Sequence, residues 1–233
     1  SCWELIPKIK SMVNQNIDPC SLEYFDHNAL ERLKSKYTNI PDYSRAAMFF
    51  EQDVAKKCDY DGVLENWYEF LNAEEIILED SWFAQGPKDV QMFQNFRHDA
   101  PVLINEENSR AGRVKLGTDM AVPDEYFLSM MELYRETLND NDVDYIIFGH
   151  LGDNHLHINL LPEDSQGDKA QNIYDTLVDQ ILKWGGTVSA EHGVGKLKKD
   201  YFAKMVGPNG LKELSKVKRC LDPQNRLGVG NIL

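Results

Sequence analysis

Long apolar runs are missing from this chain. None of its 233 residues lies in a stretch approaching the roughly 20 apolar residues of a membrane-spanning helix, which argues against a helix through the bilayer. The N-terminal SCWELIPKIKSMV carries charges inside it and has no signal-peptide core. Basic residues are outnumbered: 25 Lys and Arg against 38 Asp and Glu leave a formal net charge of −13. That balance excludes nucleic acid as a partner, because phosphate binding needs a basic surface. Cysteines are few, and Cys2, Cys20, Cys58 and Cys220 stand far apart with no CxxC. They read as reduced thiols in a cytoplasmic protein, not as a disulfide framework. There is no internal repeat, no low-complexity tract and no linker rich in Pro, Gly or Ser. What remains, 42% hydrophobic and 27% charged residues, suits a globular protein large enough to bury a core. The chain begins Ser-Cys, not Met, which reads as a piece of something longer or a processed start.

Periodicity predicts strands interleaved with helices. Residues 1–36 read as two helices broken near Asp18-Pro19, the second opening at Ser21 as its cap. RAAMFFEQDV (45–54) reads as a strand, 61–74 as an amphipathic helix, and Pro87 opens another helix. RVKLGTDMAV (113–122) has strand character, and Pro123 starts the next helix. A further helix is expected over 168–184, a short strand at TVSA (187–190), and two helical pieces before an irregular tail. This mixture, with one strand–turn–strand segment, favours an α+β fold with an antiparallel sheet over a doubly wound parallel one.

Histidine is scarce too, and its placement is the strongest chemical signal. Three of the six histidines, His150, His155 and His157, crowd into FGHLGDNHLHINLLP (148–162). An apolar run ends at His150, Gly152-Asp153-Asn154 supplies turn chemistry, and the alternating HLHINL that follows puts His155 and His157 on one face. In GGTVSAEHGVGK (185–196) an apolar strand ends in Glu191-His192, and Gly193 and Gly195 let the backbone turn away. Two imidazoles and a carboxylate are an ordinary set for a catalytic divalent metal, Zn, Mn or Fe in preference to Ca. The candidates are His150, His155, His157, Glu191 and His192, and the spacing is compatible with more than one pair of histidines. Asp153 reads as orienting a ligating imidazole or capping the turn. Upstream, Arg97, Arg110, Arg113 and Lys115 form a basic island. Arg110 and Arg113 read as a solvated face, whereas Lys115, inside the predicted strand, calls for a carboxylate partner from protein or substrate.

GHLGDNHLHINLLP, then GGTVSAEHGVGKLKKDYF, then LDPQNRLGVGNIL resemble, in that order, the C-terminal domain of FAD-linked oxidases. This is the D-lactate dehydrogenase, glycolate oxidase and D-2-hydroxyglutarate dehydrogenase group of the vanillyl-alcohol-oxidase superfamily. The resemblance covers residues 85–233 well and the first 80 weakly. It implies a ferredoxin-like cap domain, an antiparallel sheet covered by helices, over all of 1–233. It also implies a substrate- and metal-binding role in oxidising a 2-hydroxy acid to the 2-oxo acid, with hydride passing to FAD. By position, His150, His157 and Glu191 are implied metal ligands (Zn or Mn), and His192 the catalytic base. Lys115, Arg97 and Asn159 are implied substrate contacts, and Asn231 is the implied cofactor contact. The family's HxGDGNxH reads HLGDNHLH here, so Asn154 and His155 stand where Gly and Asn are common; in the tail, Val229 replaces Pro and Asn231 replaces Lys.

The family binds FAD on an N-terminal domain with a glycine-rich pyrophosphate loop. This sequence has none, since Gly193-Val194-Gly195 is too short and wrongly placed. The expectation is therefore a cap without its flavin domain, inactive alone, whose partners are a small 2-hydroxy acid and the flavin domain of the same polypeptide. A homodimer and a peripheral place at the membrane are also compatible with the resemblance. The alternatives weighed against it are a stand-alone metal-dependent hydrolase and a non-catalytic binding domain.

Overall fold

The computed structural model describes residues 2–55, 59–76 and 78–233; Cys58 lies outside them, and Cys2, Cys20 and Cys220 are free thiols. In chain order the elements are α1 (Leu5–Ser11), β1 (Ser21–Asp26), α2 (His27–Leu33), β2 (Ala46–Glu51), α3 (Tyr60–Ala73) and α4 (Pro87–Ala111). Then come β3 (Leu116–Gly117), β4 (Met120–Ala121), α5 (Phe127–Asn139), β5 (Tyr145–His150), β6 (His155–Leu160), α6 (Gly167–Lys183) and α7 (Lys199–Leu221). Antiparallel strands covered by helices make this the α+β fold expected. The chain divides into two units, Ser1–Lys115 with Tyr145–Gly152, and Leu116–Asp144 with Asp153–Leu233.

In the first unit β1 pairs antiparallel with both β2 and β5, placing Glu23 opposite Phe49 on one side and His150 on the other. This corrects the helix predicted from Ser21. Leu22, Phe25, Ala29 and Leu33 recur at helical spacing, but strand pairing on both edges claims the backbone of residues 21–26. The cap lies five residues later, where the Asp26 side chain accepts a 2.8 Å hydrogen bond from the Ala29 N–H and the helix opens at His27. Behind the strands, Phe25, Phe96 and Tyr37 meet edge-on with centroids 5.3 and 4.9 Å apart, and Ile6, Ile9, Leu30, Leu33 and Ile104 fill the core. Pro87 sits in the first turn of α4, as predicted, and Gly112 closes that helix at φ 66°.

In the second unit, β3 and β4 both pair with β6, matching Gly117 with Asn159 and Ala121 with His155. The single strand predicted over 113–122 is thus two short ones, and Lys115 lies outside both. Pairing breaks at Thr118-Asp119 because the Thr118 hydroxyl, not a carbonyl, accepts the Ile158 N–H at 2.9 Å. The expected strand at 187–190 reduces to one bridge, Thr187 to Ala121, followed by Ala190 N–H donating to the Asp119 carbonyl at 3.0 Å. Helices α5 and α6 pack their apolar faces, Met130, Met131, Tyr134, Ile173, Leu177 and Ile181 being buried. Pro123 precedes a 3-10 turn that leads into α5. α7 breaks at Gly207 (φ 66°) before Pro208, giving the two helical pieces expected. No helix of the described residues is long and apolar enough to cross a membrane.

Candidate metal and substrate site

Strand β6 buries Leu156, Ile158 and Leu160 on one face and presents His155, His157 and Asn159 on the other, each at most 8% exposed. Three buried polar side chains in one row need partners. His157 donates from Nδ1 to the Thr118 carbonyl (3.3 Å), which turns its Nε2 towards Glu191 Oε1 at 2.9 Å. His192 brings its own Nε2 to the same oxygen at 3.1 Å, its ring 5.1 Å from that of His157. Two imidazole nitrogens therefore converge on one carboxylate oxygen. With Nδ1 of His157 already donating, its Nε2 offers a lone pair unless a proton or cation comes between. Asp119, His157 and His192 each carry a potential ligand atom within 4.8 Å of the others, though both Asp119 oxygens are committed to other donors. The donor set, nitrogen and carboxylate oxygen facing inward, fits a divalent cation.

The turn carrying Glu191 and His192 is positioned by Asp119, which the sequence reading did not single out. Asp119 is 1% exposed. Its Oδ1 accepts the Glu191 N–H, and its Oδ2 accepts the His192 N–H and the Ser189 hydroxyl, all at 3.1 Å. Lys198 Nζ lies 2.5 Å from Oδ2, and His155 Nε2 lies 3.0 Å from Oδ1. Burial pushes the Asp119 carboxyl up, but the Lys198 ammonium and the two main-chain N–H groups outweigh it and hold the carboxyl well below the usual range. An acid inside the apolar run LGTDMAV was the only signal for it. Gly193 (φ 76°) and Gly195 (φ 56°) take the left-handed conformations expected of this turn. The C-terminal tail comes back to it, Ile232 N–H donating to the Gly195 carbonyl at 3.2 Å.

Other expected residues take separate places. Asp153 is exposed; Asn154, buried at φ 53°, ties the turn down through Nδ2 to the Val122 carbonyl (3.2 Å) and Asp124 Oδ1 (2.7 Å). Asn159 stands opposite Gly117, where a Cβ would come within 2.9 Å of its Oδ1, so a side chain there would crowd the amide. Asn231 is exposed and donates its N–H to the Gly228 carbonyl at 2.9 Å. In the first unit, His150 Nδ1 lies 3.0 Å from Glu23 Oε1, and the Arg97 guanidinium reaches the same oxygen at 2.7 Å. Glu23 was not singled out either, although it is the one acid within the apolar run of β1 before the capping Asp26. Lys115 is half-buried, and burial pushes its ammonium pKa down. No carboxylate among the described residues pairs with it, so of the two partners anticipated for it, protein or substrate, the described residues do not supply the first. Arg113, read as a solvated cation, is instead largely buried and pairs with Glu107 at 2.7 Å, whereas Arg110 is exposed beside Glu106.

Comparison with known proteins agrees along the whole chain. A D-lactate dehydrogenase [cytochrome], mitochondrial, of Kluyveromyces lactis is 31% identical over 115 residues, 49% of this chain and 20% of that protein. Glycolate oxidase subunit GlcD of Bacillus subtilis is 23% identical over 96% of this chain and 47% of its own length. A probable D-2-hydroxyglutarate dehydrogenase, mitochondrial, of Oryza sativa subsp. indica is 28% identical over 100% of this chain and 41% of its own. The chain thus spans less than half the length of these relatives. The solved structure of 4-ethylphenol oxidase from Gulosibacter chungangensis, in an isoeugenol complex, superposes with a TM-score of 0.59 at 13% identity, over 99% of this chain and 51% of that one. The profile described as FAD linked oxidases, C-terminal domain, matches residues 1–232, and the chain belongs to that family.

Proposed function

We propose that this chain is the substrate- and metal-binding cap of a flavin-dependent dehydrogenase or oxidase that converts a 2-hydroxy acid to the 2-oxo acid. The observation that carries the reading is the convergence of His157 Nε2 and His192 Nε2 on Glu191 Oε1. His157 and Glu191 would hold a divalent cation, Zn or Mn; His150 enters the proposal by its place in the motif alone. FAD would be held mainly by a flavin domain outside these residues. The relatives, more than twice as long as the stretch they share with this chain, support that view. So does α7, which buries no side chain and leaves Val217 and Leu221 exposed.

When bound, FAD takes up the hydride and the cation supplies Lewis acidity at the substrate hydroxyl. The chain's own residues do the rest. His192, 63% exposed at its side chain and held by its main-chain N–H, accepts the hydroxyl proton as general base. Lys115, which has no carboxylate partner among the described residues, pairs with the substrate carboxylate, and Arg97 assists. Asn159 contributes a buried amide that orients the acid.

Metal analysis tests the ligand set. His157→Ala, Glu191→Ala and His150→Ala should each lose most of the metal, because three protein ligands leave little redundancy. His155→Ala and His192→Ala should keep it. In a full-length enzyme assayed against a panel of 2-hydroxy acids with an artificial electron acceptor, His192→Ala should lower turnover by about 10²–10⁴-fold. A protein that lost its metal with His155→Ala and kept it with His157→Ala would overturn the assignment.

A further inference from the structure

The donor turn is not held by its own sequence. Glu191 and His192 are exposed, lie between Ser189 and two left-handed glycines, and belong to no helix or strand. A segment of that kind samples many conformations unless something outside it fixes the main chain. Here the fixing group is one buried carboxylate that takes the N–H of both donor residues, the hydroxyl of Ser189, the ammonium of Lys198 and, at ion-pair distance, Nε2 of His155. The break between β3 and β4 is what frees Asp119 for this. With residues 118–119 outside the ladder, the Asp119 main chain still accepts from Ala190, so the same residue grips the turn through both backbone and side chain.

We infer that Asp119 is the positioning residue of the site: its carboxylate, by taking the main-chain N–H of both, sets Glu191 and His192 against His157. Lys198 balances the buried charge through Asp119 Oδ2 and also reaches the Ser189 hydroxyl at 3.3 Å. The inference rests on the metal-binding reading for its consequence, but not for its geometry. Groups behind the ligands usually govern affinity by fixing ligand orientation, and their loss costs about 10–100-fold in metal affinity.

Three measurements on the full chain test this. Co(II) titration, followed by the visible spectrum, should give an Asp119→Asn protein that binds about 10–100-fold more weakly with an altered band pattern. In the double variant Asp119→Asn/Lys198→Met the unpaired ammonium is gone, so the unfolding midpoint should return towards wild type while Co(II) binding stays weak. Amide hydrogen exchange in Asp119→Ala should accelerate at Glu191 and His192 by about tenfold or more, with α5 and α6 unchanged. Wild-type Co(II) affinity and spectrum in folded Asp119→Asn, or affinity restored in the double variant, would overturn the positioning role. If the wild type bound no Co(II), Zn(II) or Mn(II), the metal reading would fall, and the exchange at Glu191 and His192 would still decide whether Asp119 sets the turn.

Discussion

Glu23 in one unit and Asp119 in the other are both almost fully buried, at 3% and 1% exposure, yet they are held by different kinds of donor. Among the described residues Glu23 is met by side chains: Arg97, His150 and Ser21 all reach its Oε1. Arg97 is 37% exposed at its side chain and can turn to water if its partner is lost. Asp119 takes two main-chain N–H groups, and its ammonium partner Lys198 is 14% exposed. A carboxylate bound by main chain fixes where the backbone runs. One bound by side chains can change partners without moving the backbone. The contrast suits the proposed roles, a rigid support for the donor turn and an adjustable seat for His150 and Arg97.

The comparison is most sharply tested by stability. Asp119→Ala strands the Lys198 ammonium and two N–H groups, and chemical denaturation should report a loss of about 3–5 kcal/mol. Glu23→Gln keeps a hydrogen-bonding amide beside partners that can hydrate, so the same measurement should give a smaller loss, about 1–3 kcal/mol. Equal losses at the two sites would erase the distinction.

Acid should separate them next. The Asp119 carboxyl is depressed in the folded state, so its contribution is fully present above the unfolded value near 3.8 and is lost as pH falls through the depressed value. Asp119→Asn should therefore flatten the acid limb of a stability–pH curve below about pH 4. An unchanged limb would show that the charge carries no folding energy. The smallest effect is expected at Asp222. This carboxylate caps the tail through the Arg226 and Leu227 N–H groups at 2.8 and 2.9 Å and pairs with Lys218. The Lys218 hydrogen bond and those two N–H groups lower its pKa to about 2. Asp222→Ala should speed amide exchange at residues 226–227 above pH 4 with little change in global unfolding, and the wild-type protection there, measured against the intrinsic exchange rate, should fall as pH drops from about 4 towards 2.

Much of this site was legible in the residues themselves. His157, Glu191 and His192 were picked out by composition and glycine placement, and in the second unit they do meet. The helices α3, α4 and α6 followed from period, because each buries one face at helical spacing. The histidine strands followed from their apolar run and turn chemistry, although β6 is buried on both faces where alternation predicts one. The readings that failed share a cause. Residues 21–26 have helical apolar spacing, and the strand they form depends on β2 and β5, which are distant in sequence. The run 113–122 alternates like one strand, and a single hydroxyl bonded across to Ile158 divides it.

The sequence by itself determined the α+β class, the histidine-rich strands, the glycine turn and the family. Those properties depend on local period, local backbone freedom and residue identity. Only the tertiary structure decided where the buried acids find their partners. Glu23 and Asp119 look like stray charges in apolar runs until distant residues deliver their partners: Arg97 and His150 to one, Lys198 and the Glu191–His192 main chain to the other. A buried charge is tolerable only where folding supplies donors for it, and those donors lie far away along the chain.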